Sequence, residues 1–347
     1  MSAFPPLTPT DPAPLLELRG VVKQYRSRGL LGLGPTVHAV NGVSLGIAAG
    51  ETLGLVGESG SGKSTLGRVA IALEPPTAGE VRFRDRPLGA VGKRVSSAVR
   101  RELQIVFQDP YTSLDPRLPV GASVAEGLEI HRLVPRGRIR GRVEELLQEV
   151  GLGGAEPDSY PHEFSGGQRQ RIGIARALAV EPSLLVCDEP VSALDVSVRA
   201  QVLNLLRDLQ ARRGLACLFI GHDLAVVAQV AHRIAVMYLG FIVELGPTEN
   251  IITRPRHPYT VALLSAVPSP DPHRRRARIV LAGDPPSPTR IPEGCPFESR
   301  CYHHMRDARC RIERPALRGV GGSEVACHYA EFSPLRTNDQ RPTTNDR

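Results

Sequence analysis

The 347-residue sequence predicts an α/β protein with a mostly parallel sheet. Short apolar runs at residues 52–56, 184–187 and 215–220 are typical of strands that are buried on both faces, and segments of helical periodicity separate them. Polar or charged residues follow each of these runs directly. Because the carboxyl ends of parallel strands meet at one edge of a sheet, we expect the functional residues to lie along that edge.

The composition indicates a globular protein but does not indicate its function. Hydrophobic residues make up 41% and charged residues 23% of the chain, which is ordinary for a globular protein of two or three domains. The net charge of +7 comes almost wholly from arginines spread along the chain, which favours a solvated surface and predicts no nucleic-acid partner. The cluster at residues 274–278 is interpreted as a solvated linker, with lipid head groups or an acidic partner as alternatives.

Neither an export signal nor a membrane span is predicted. No apolar run approaches the roughly 20 residues that a spanning helix needs, and the N-terminus lacks a charged start followed by an apolar stretch. Residues 1–14, rich in Pro and Thr, predict a disordered leader. Residues 15–22 and 37–47 alternate apolar and polar side chains, which predicts strands with one solvated face.

A glycine-rich loop follows the run at residues 52–56. It fits the phosphate-binding pattern of a glycine, four free positions and Gly-Lys-Ser/Thr, in the sequence Gly57-Glu58-Ser59-Gly60-Ser61-Gly62-Lys63-Ser64-Thr65. Such glycines let several N–H groups point into one concavity, and residues 64–73 predict a helix whose positive end faces it. Lys63 is placed to reach the outer phosphates, and the Ser64 hydroxyl to reach Mg²⁺.

The next segments predict a helical subdomain inserted into the sheet. Residues 80–84 and 104–107 predict two strands, and Gln108 follows the second, where it can reach Mg²⁺ or a water unless it is an ordinary loop residue. From residue 121 to residue 150 apolar side chains recur at helical spacing. We place the subdomain at about residues 112–180.

Two further clusters carry residues that are suited to binding phosphate or Mg²⁺. Ser165-Gly166-Gly167-Gln168 begins a helix-like segment and forms a second anion-binding N-terminus. The strand at residues 184–187 ends in two carboxylates, of which Asp188 is suited to holding Mg²⁺ and Glu189 to polarising a water. A pair of acids that caps the next helix is the alternative.

The last segments of the core complete this edge. Residues 197–213 predict an amphipathic helix. His222 follows the strand at residues 215–220, which favours a contact with the γ-phosphate over a role as a surface histidine. Residues 234–239 and 241–245 predict a closing hairpin.

Together, these residues resemble the nucleotide-binding subunit of ATP-binding cassette (ABC) transporters over about residues 15–250. The resemblance implies a RecA-like P-loop NTPase core with an antiparallel β subdomain, and ATP with Mg²⁺ as its ligands. The matching motifs are Walker A at residues 57–65, the Q-loop at Gln108, the signature at residues 165–168, Walker B at residues 184–189, the D-loop Ser192-Ala193-Leu194-Asp195 and the switch residue His222.

The resemblance also implies roles for these residues. Glu189, His222 and Gln108 would act in catalysis, and each ATP would lie between the Walker A loop of one subunit and the signature of another. Tyr25 falls where the family keeps an aromatic residue that stacks on adenine, whereas spacing alone fits a packing tyrosine equally well. Asp195 would contribute to the nucleotide site as part of the D-loop.

Three further segments resemble the F-type ATPase of oligopeptide and dipeptide importers: Leu66-Gly67-Arg68, His162-Glu163-Phe164 and His257-Pro258-Tyr259-Thr260. This family implies a peripheral subunit on the cytoplasmic side of the inner or plasma membrane. Its partners would be a second ABC ATPase, expected to be a D-type paralogue, two permeases and an extracytoplasmic substrate-binding protein. Residues 109–120 are the expected permease contact. Importers of nickel, an opine-like compound or an oligosaccharide are alternatives, as is a soluble ABC ATPase that acts on DNA or ribosomes.

The chain beyond residue 250 changes to a Pro-, Arg- and His-rich composition, and we expect a separate, loop-rich extension at residues 251–332 with a disordered tail at residues 333–347. We expect nothing in the extension to belong to the phosphate edge, which is the edge of the sheet that carries the predicted phosphate loop at residues 57–65. It contains four cysteines in a region with little predicted core, which favours a metal over disulfides in a cytosolic chain: Cys295, Cys301, Cys310 and Cys327.

Thiolates suit either zinc or an iron–sulfur cluster. The lack of a Cys-x-x-Cys pair favours a [4Fe-4S] cluster over Zn²⁺, with unliganded thiols as the third alternative. The segment around Cys295 and Cys301 also resembles the tail of the peptide-importer ATPases, some of which hold such a cluster. His303, His304 and His328 are possible substitute ligands.

Overall fold

The computed structural model describes residues 13–26, 34–88, 95–109, 113–267 and 278–332. Most of the predicted leader, the predicted tail, the arginine cluster up to residue 277 and residues 110–112 of the expected permease contact lie outside the described residues. Of the helices in the described ranges, none is both long and apolar enough to cross a membrane.

The described strands form two sheets, of four and eight strands. In chain order they are β1 (Leu16–Arg26), β2 (Thr36–Ile47), β3 (Thr52–Val56), β4 (Ala78–Phe83), β5 (Arg86–Pro87), β6 (Leu103–Val106), β7 (Leu184–Asp188), β8 (Ala216–Gly221), β9 (Arg233–Tyr238), β10 (Phe241–Pro247), β11 (Arg318–Val320) and β12 (Ser323–Val325).

The smaller sheet is antiparallel and has the strand order β2-β1-β4-β5. Its two long strands pair from Leu16 opposite Ile47 to Arg26 opposite Thr36. Leu16, Leu18 and Val21 are buried, while the residues between them are partly or fully exposed, as the alternating pattern predicts. The predicted antiparallel β subdomain is therefore confirmed.

The larger sheet has the order β11-β12-β10-β9-β3-β8-β7-β6. Strands β6, β7, β8, β3 and β9 are parallel, and β3 lies among them with all five of its residues buried. This burial on both faces explains its continuous apolar sequence. The mostly parallel α/β core is confirmed, and the carboxyl ends of β3, β6, β7 and β8 share one edge.

Ten α-helices accompany the sheets in the described ranges. They are α1 (Lys63–Ala70), α2 (Ser97–Glu102), α3 (Val120–Ile130), α4 (Ile139–Glu149), α5 (Gly166–Leu178), α6 (Val196–Arg213), α7 (Leu224–Val227), α8 (Thr248–Thr253), α9 (Pro258–Ser265) and α10 (Arg309–Ile312). Helices α3, α4 and α5 lie between β6 and β7 in the chain and contact one another. They form the inserted helical subdomain.

The C-terminal extension joins the core sheet more closely than its composition predicts. Strand β12 pairs with β10, with Glu244 opposite Val325, and β11 pairs with β12. The extension thereby covers a strand edge that would otherwise expose unpaired backbone groups. Phe297 is also fully buried, with its ring 5.2 Å from that of Tyr238 and 5.5 Å from that of Tyr259. A short region without long helices is thus stabilised against the ATPase core.

Candidate nucleotide site

The phosphate loop connects β3 to α1 and depends on glycine at two close contacts. A Cβ atom added at Gly57 would lie 2.1 Å from the Met237 carbonyl oxygen, and one at Gly62 would lie 2.0 Å from the Ala39 carbonyl oxygen. Gly62 also has a φ of 102°, in the left-handed region, at the N-cap position directly before α1. The loop backbone can therefore pass close to two neighbouring strands only because these positions have no side chain.

Lys63 is the first residue of α1 and is almost fully buried. Its Nζ donates to the carbonyl oxygens of Gly57 and Glu58, at 2.8 Å each. Burial lowers the pKa of Lys63, while the charges of Glu189 and Asp188 oppose that shift. A phosphate that enters the loop would give this buried cation a stronger partner than the two carbonyls.

Ser64 and Asp188 are in direct contact. The Ser64 hydroxyl donates to Oδ1 of Asp188 at 2.8 Å, although the two residues lie 124 positions apart in the sequence. Burial raises the pKa of Asp188, against the hydrogen bond from Ser64. A hydroxyl beside a carboxylate, next to a phosphate loop, fits the all-oxygen ligand set that Mg²⁺ prefers.

Glu189 lies immediately after β7, and two other predicted residues contact it. One carboxylate oxygen, Oε2, is 3.3 Å from the Gln108 amide nitrogen and 3.2 Å from Nδ1 of His222. Glu189 has a φ of 47°, which is uncommon for a residue other than glycine and is found where a fold holds a functional side chain in place. Its N–H donates to Ile220, and Ser192 donates to its carbonyl oxygen, so its backbone is held on both sides.

Tyr25 is 36% exposed at the end of β1. Its hydroxyl donates to the Glu74 carboxylate, and the Lys23 ammonium lies 5.1 Å from the ring centroid. Arg68 of α1 donates to the other oxygen of Glu74 at 2.7 Å. The structure therefore links Tyr25 to the helix of the phosphate loop, and stacking on adenine stays a prediction.

The signature and D-loop residues lie at the beginnings of helices. Ser165 caps α5: its Oγ accepts from the Gln168 N–H, and the Gln168 side chain accepts from the Ser165 N–H. Asp195 caps α6 by accepting from the Val198 N–H at 3.0 Å. Ser165 and Asp195 are both exposed, so they are available to a second subunit.

Two residues of the C-terminal extension contact the phosphate loop, and the expectation that none would do so is wrong. Arg300 donates to Oε2 of Glu58 at 2.8 Å, and the Glu58 N–H donates to the Tyr259 hydroxyl at 2.8 Å. Neither contact could be predicted from the sequence, because the contacts join residues that lie 242 and 201 positions apart. The nearest signal in the sequence is the motif at residues 257–260, which contains Tyr259.

The four cysteines of the extension line one pocket, together with Phe297 and His303. Burial raises the pKa of Cys295 to about 12 and that of Cys301 to about 11, and the neighbouring thiols add to both shifts. Within the described residues, no three or more His, Cys, Asp or Glu side chains are arranged to hold a metal ion. The structure therefore brings the predicted ligands together but does not confirm a metal site.

Comparisons with known proteins agree with this geometry. The ABC transporter family profile matches residues 40–192, and the profile of the oligopeptide/dipeptide transporter C-terminal region matches residues 243–310. A Bacillus subtilis protein, provisionally named an oligopeptide transport ATP-binding protein, is 50% identical over 91% of this chain and 95% of its own length. The di/tripeptide transport ATP-binding protein DppF of Pseudomonas aeruginosa is 46% identical over 91% of this chain and 98% of its own.

A solved structure gives the same fold. It is a dimeric, post-hydrolysis state of the ATP-binding cassette MJ0796 bound to ADP and Pi, at 29% identity and a TM-score of 0.59. The match covers 67% of this chain and 98% of that one.

Proposed function

Because this chain belongs to the ATP-binding subunits of ABC transporters, and carries the C-terminal region of the oligopeptide and dipeptide transporters, we propose that it hydrolyses ATP to drive the import of di- or oligopeptides. The observation that supports hydrolysis most directly is the position of the Glu189 carboxylate. This carboxylate contacts Gln108 and His222. Glu189 also directly follows Asp188 in the sequence, and Asp188 contacts the phosphate-loop residue Ser64.

Phosphate binding would rest on the loop and on Lys63. Loops of this pattern bind phosphate through backbone N–H groups and the N-terminus of the following helix, here α1. The Lys63 ammonium would exchange its carbonyl partners for phosphate oxygens. Mg²⁺ held by Ser64 and Asp188, with Gln108 nearby, would offset the charge that develops on the phosphates. Tyr25 would hold the adenine ring by stacking.

Glu189 would act on the attacking water. Its Oε2 accepts from Gln108 and His222, which fixes the carboxylate and leaves the second oxygen, Oε1, to accept a proton from water. The water then attacks the γ-phosphorus in line with the bond to ADP, which leaves as the phosphate forms. His222 is 54% exposed, so it lies at the surface that a second subunit would cover.

We propose that a second ATPase subunit completes the site. The exposed N-terminus of α5, at Ser165 to Gln168, would bind the γ-phosphate of ATP held by the partner, with Asp195 close by. ATP would thereby stabilise the closed dimer, and hydrolysis would release it. The dimeric state of the MJ0796 cassette supports this arrangement. The partner is proposed to be a D-type paralogue.

The membrane partners are proposed on the same grounds. Two permeases would hold the chain peripherally at the cytoplasmic side of the inner or plasma membrane, and an extracytoplasmic binding protein would deliver the peptide. The expected permease contact includes the exposed side chain of Leu118, and Phe107 nearby is also exposed. Both are large apolar side chains that a docked helix would cover.

Uptake of labelled peptides tests this function. Cells that lack the chain are supplied with the wild type or with Glu189→Gln, and uptake of labelled di- and oligopeptides is measured beside uptake of nickel and an oligosaccharide. We expect peptide uptake to return only with the wild type. Restored uptake of nickel or the oligosaccharide alone would assign the ATPase to a different importer.

For the cysteine pocket we propose a [4Fe-4S] cluster with a structural or regulatory role, and zinc as the alternative. The convergence of four thiols on one pocket supports a ligand. Because burial raises the pKa of Cys295 and of Cys301, binding of a metal to these two thiols would release protons and strengthen with pH. Iron and acid-labile sulfide are measured on anaerobically purified protein, with Cys301→Ser as the variant. Colourless, iron-free wild-type protein would exclude the cluster, and stoichiometric zinc would support the alternative.

A further inference from the structure

We propose that Arg300 is a positioning residue for the phosphate loop, through which the C-terminal extension sets the affinity for MgATP. The proposal rests on the ATPase function proposed above. Glu58 is the second residue of the loop, and Arg300 Nη1 donates to its Oε2 at 2.8 Å across 242 positions of sequence. The extension thus reaches directly into the element that holds the phosphates.

The arginine of this ion pair is largely shielded from solvent, and the glutamate is partly shielded. The Arg300 side chain is 9% exposed and that of Glu58 is 29% exposed. The same guanidinium lies 3.5 Å from the Tyr238 hydroxyl and 6.0 Å from the centroid of its ring. Burial and the aromatic face restrict the arginine to few conformations, so this pair costs less ordering entropy than a pair of solvated side chains.

Tyr259 holds the backbone of the same residue. The Glu58 N–H donates to the Tyr259 hydroxyl at 2.8 Å, and burial raises the pKa of Tyr259 so that it stays neutral. The Glu58 carbonyl oxygen in turn accepts from Lys63 Nζ at 2.8 Å. The Gly57 carbonyl oxygen, which belongs to the same peptide group as the Glu58 N–H, also accepts from Lys63 Nζ at 2.8 Å. The contact with Tyr259 therefore bears directly on the lysine that would meet the phosphates.

The segment that carries Arg300 is itself fixed. Arg300 ends the short turn Glu298–Arg300, and its N–H donates to the Phe297 carbonyl oxygen at 3.1 Å. The Phe297 ring is fully buried against the rings of Tyr238 and Tyr259. Arg300 is thus a rigid anchor, and it can hold the loop in the conformation that binds nucleotide.

Charge gives Arg300 a second effect on the site. Glu58 places a carboxylate within a loop that must bind a highly anionic ligand, and the guanidinium offsets that charge. Without Arg300 the carboxylate is unpaired, and it would both free the loop and repel the phosphates. Loss of the arginine should therefore weaken MgATP binding more than it slows the chemical step.

The test compares variants of the full-length chain. Arg300→Met is expected to raise the Kd and the KM for MgATP by about 3- to 30-fold, with kcat within about twofold. Arg300→Lys should recover part of the affinity. The double variant Arg300→Met/Glu58→Gln should also recover part of the affinity for MgATP, because it removes the repelling carboxylate charge. If Arg300 had only a structural role, this second change would not recover affinity, since it restores no contact.

Arg311→Met is the matched control. Arg311 lies in the same extension and pairs with Glu298 at 3.1 Å, but its side chain is 68% exposed. Its variant should bind MgATP as the wild type does. Isothermal titration gives Kd, and phosphate release gives kcat and KM.

A folded Arg300→Met protein with the wild-type Kd and KM would overturn the proposal. If Arg300→Met does not fold, Arg300→Lys decides: a rise in Kd of at least about twofold supports the proposal, and an unchanged Kd refutes it. Failure of the wild-type chain to bind MgATP at all would contradict the proposed ATPase function itself. That result is distinguishable from a failure of the Arg300 proposal, because it is measured on the wild-type chain alone.

Discussion

Replacing Glu189 by glutamine tests the chemical step directly. The amide keeps the size of the side chain but cannot accept a proton from water. A positioned general base contributes about 10²- to 10⁴-fold, so we expect the turnover of the variant to fall by that factor, or by about 3–5 kcal/mol of transition-state stabilisation. The contacts from Gln108 and His222 show that the carboxylate is already held in position, so the full effect should appear.

ATP binding should survive this change. Burial lowers the pKa of Lys63, and the negative charge of Glu189 opposes that shift, so the two side chains interact electrostatically. Removing that charge leaves the Lys63 ammonium freer to bind phosphates and removes a repulsion from the triphosphate. The affinity for MgATP should therefore be equal to that of the wild type or higher.

The assay measures both quantities on the same preparations. Isothermal titration gives the affinity for MgATP, and phosphate release at saturating MgATP gives turnover, over a range of protein concentrations because two subunits form the proposed site. Glu145→Gln is the matched control, since Glu145 is an exposed residue of α4 that pairs with Arg142. Turnover by Glu189→Gln within about tenfold of the control would remove Glu189 from the catalytic role.

Three further perturbations test the rest of the site. Gly57→Ala should destabilise the fold by about 1–3 kcal/mol and abolish ATP binding, because its Cβ would clash with the Met237 carbonyl oxygen. Denaturant unfolding measures the stability, and isothermal titration measures ATP binding. Tyr25→Ala should weaken ATP binding by about three- to tenfold. Tyr25→Phe, which loses the hydroxyl that donates to Glu74 but keeps the ring, should retain ATP binding if the ring stacks on adenine; equal losses in the two variants would contradict stacking. Burial lowers the pKa of His257 to about 3, from 6.5 in the unfolded chain, so the unfolded state binds more protons between these values and stability falls as the pH drops. The protonation of unfolded His257 lowers the free energy of unfolding by about 2 kcal/mol at pH 5. In His257→Asn, the fall in the free energy of unfolding between pH 7 and pH 5, measured by urea denaturation, should be smaller by this amount.

Much of the fold could be predicted because its patterns are local. Residues 52–56 form a continuous apolar run, and they become the buried strand β3. The helical spacing after residue 120 becomes α3 and α4, although the positions of their ends depended on the structure. The extension was predicted less well, because its strands β11 and β12 have three residues each and form only through pairing, β12 with β10 and β11 with β12.

The sequence by itself determined the phosphate edge. Each motif there is a short run whose residue types carry their own chemistry, and parallel strands bring the ends of such runs to one edge whatever the loops between them do. That is why we expect Ser64 and Asp188 to lie close together, and the Ser64 hydroxyl oxygen is 2.8 Å from Oδ1 of Asp188.

Only the tertiary structure decided what holds the loop in place. Arg300 and Tyr259 reach Glu58 through the packing of a distant segment against the core. No spacing in the sequence encodes such a contact, since a single arginine or tyrosine has no pattern of its own, and its partner is set by how buried surfaces fit together.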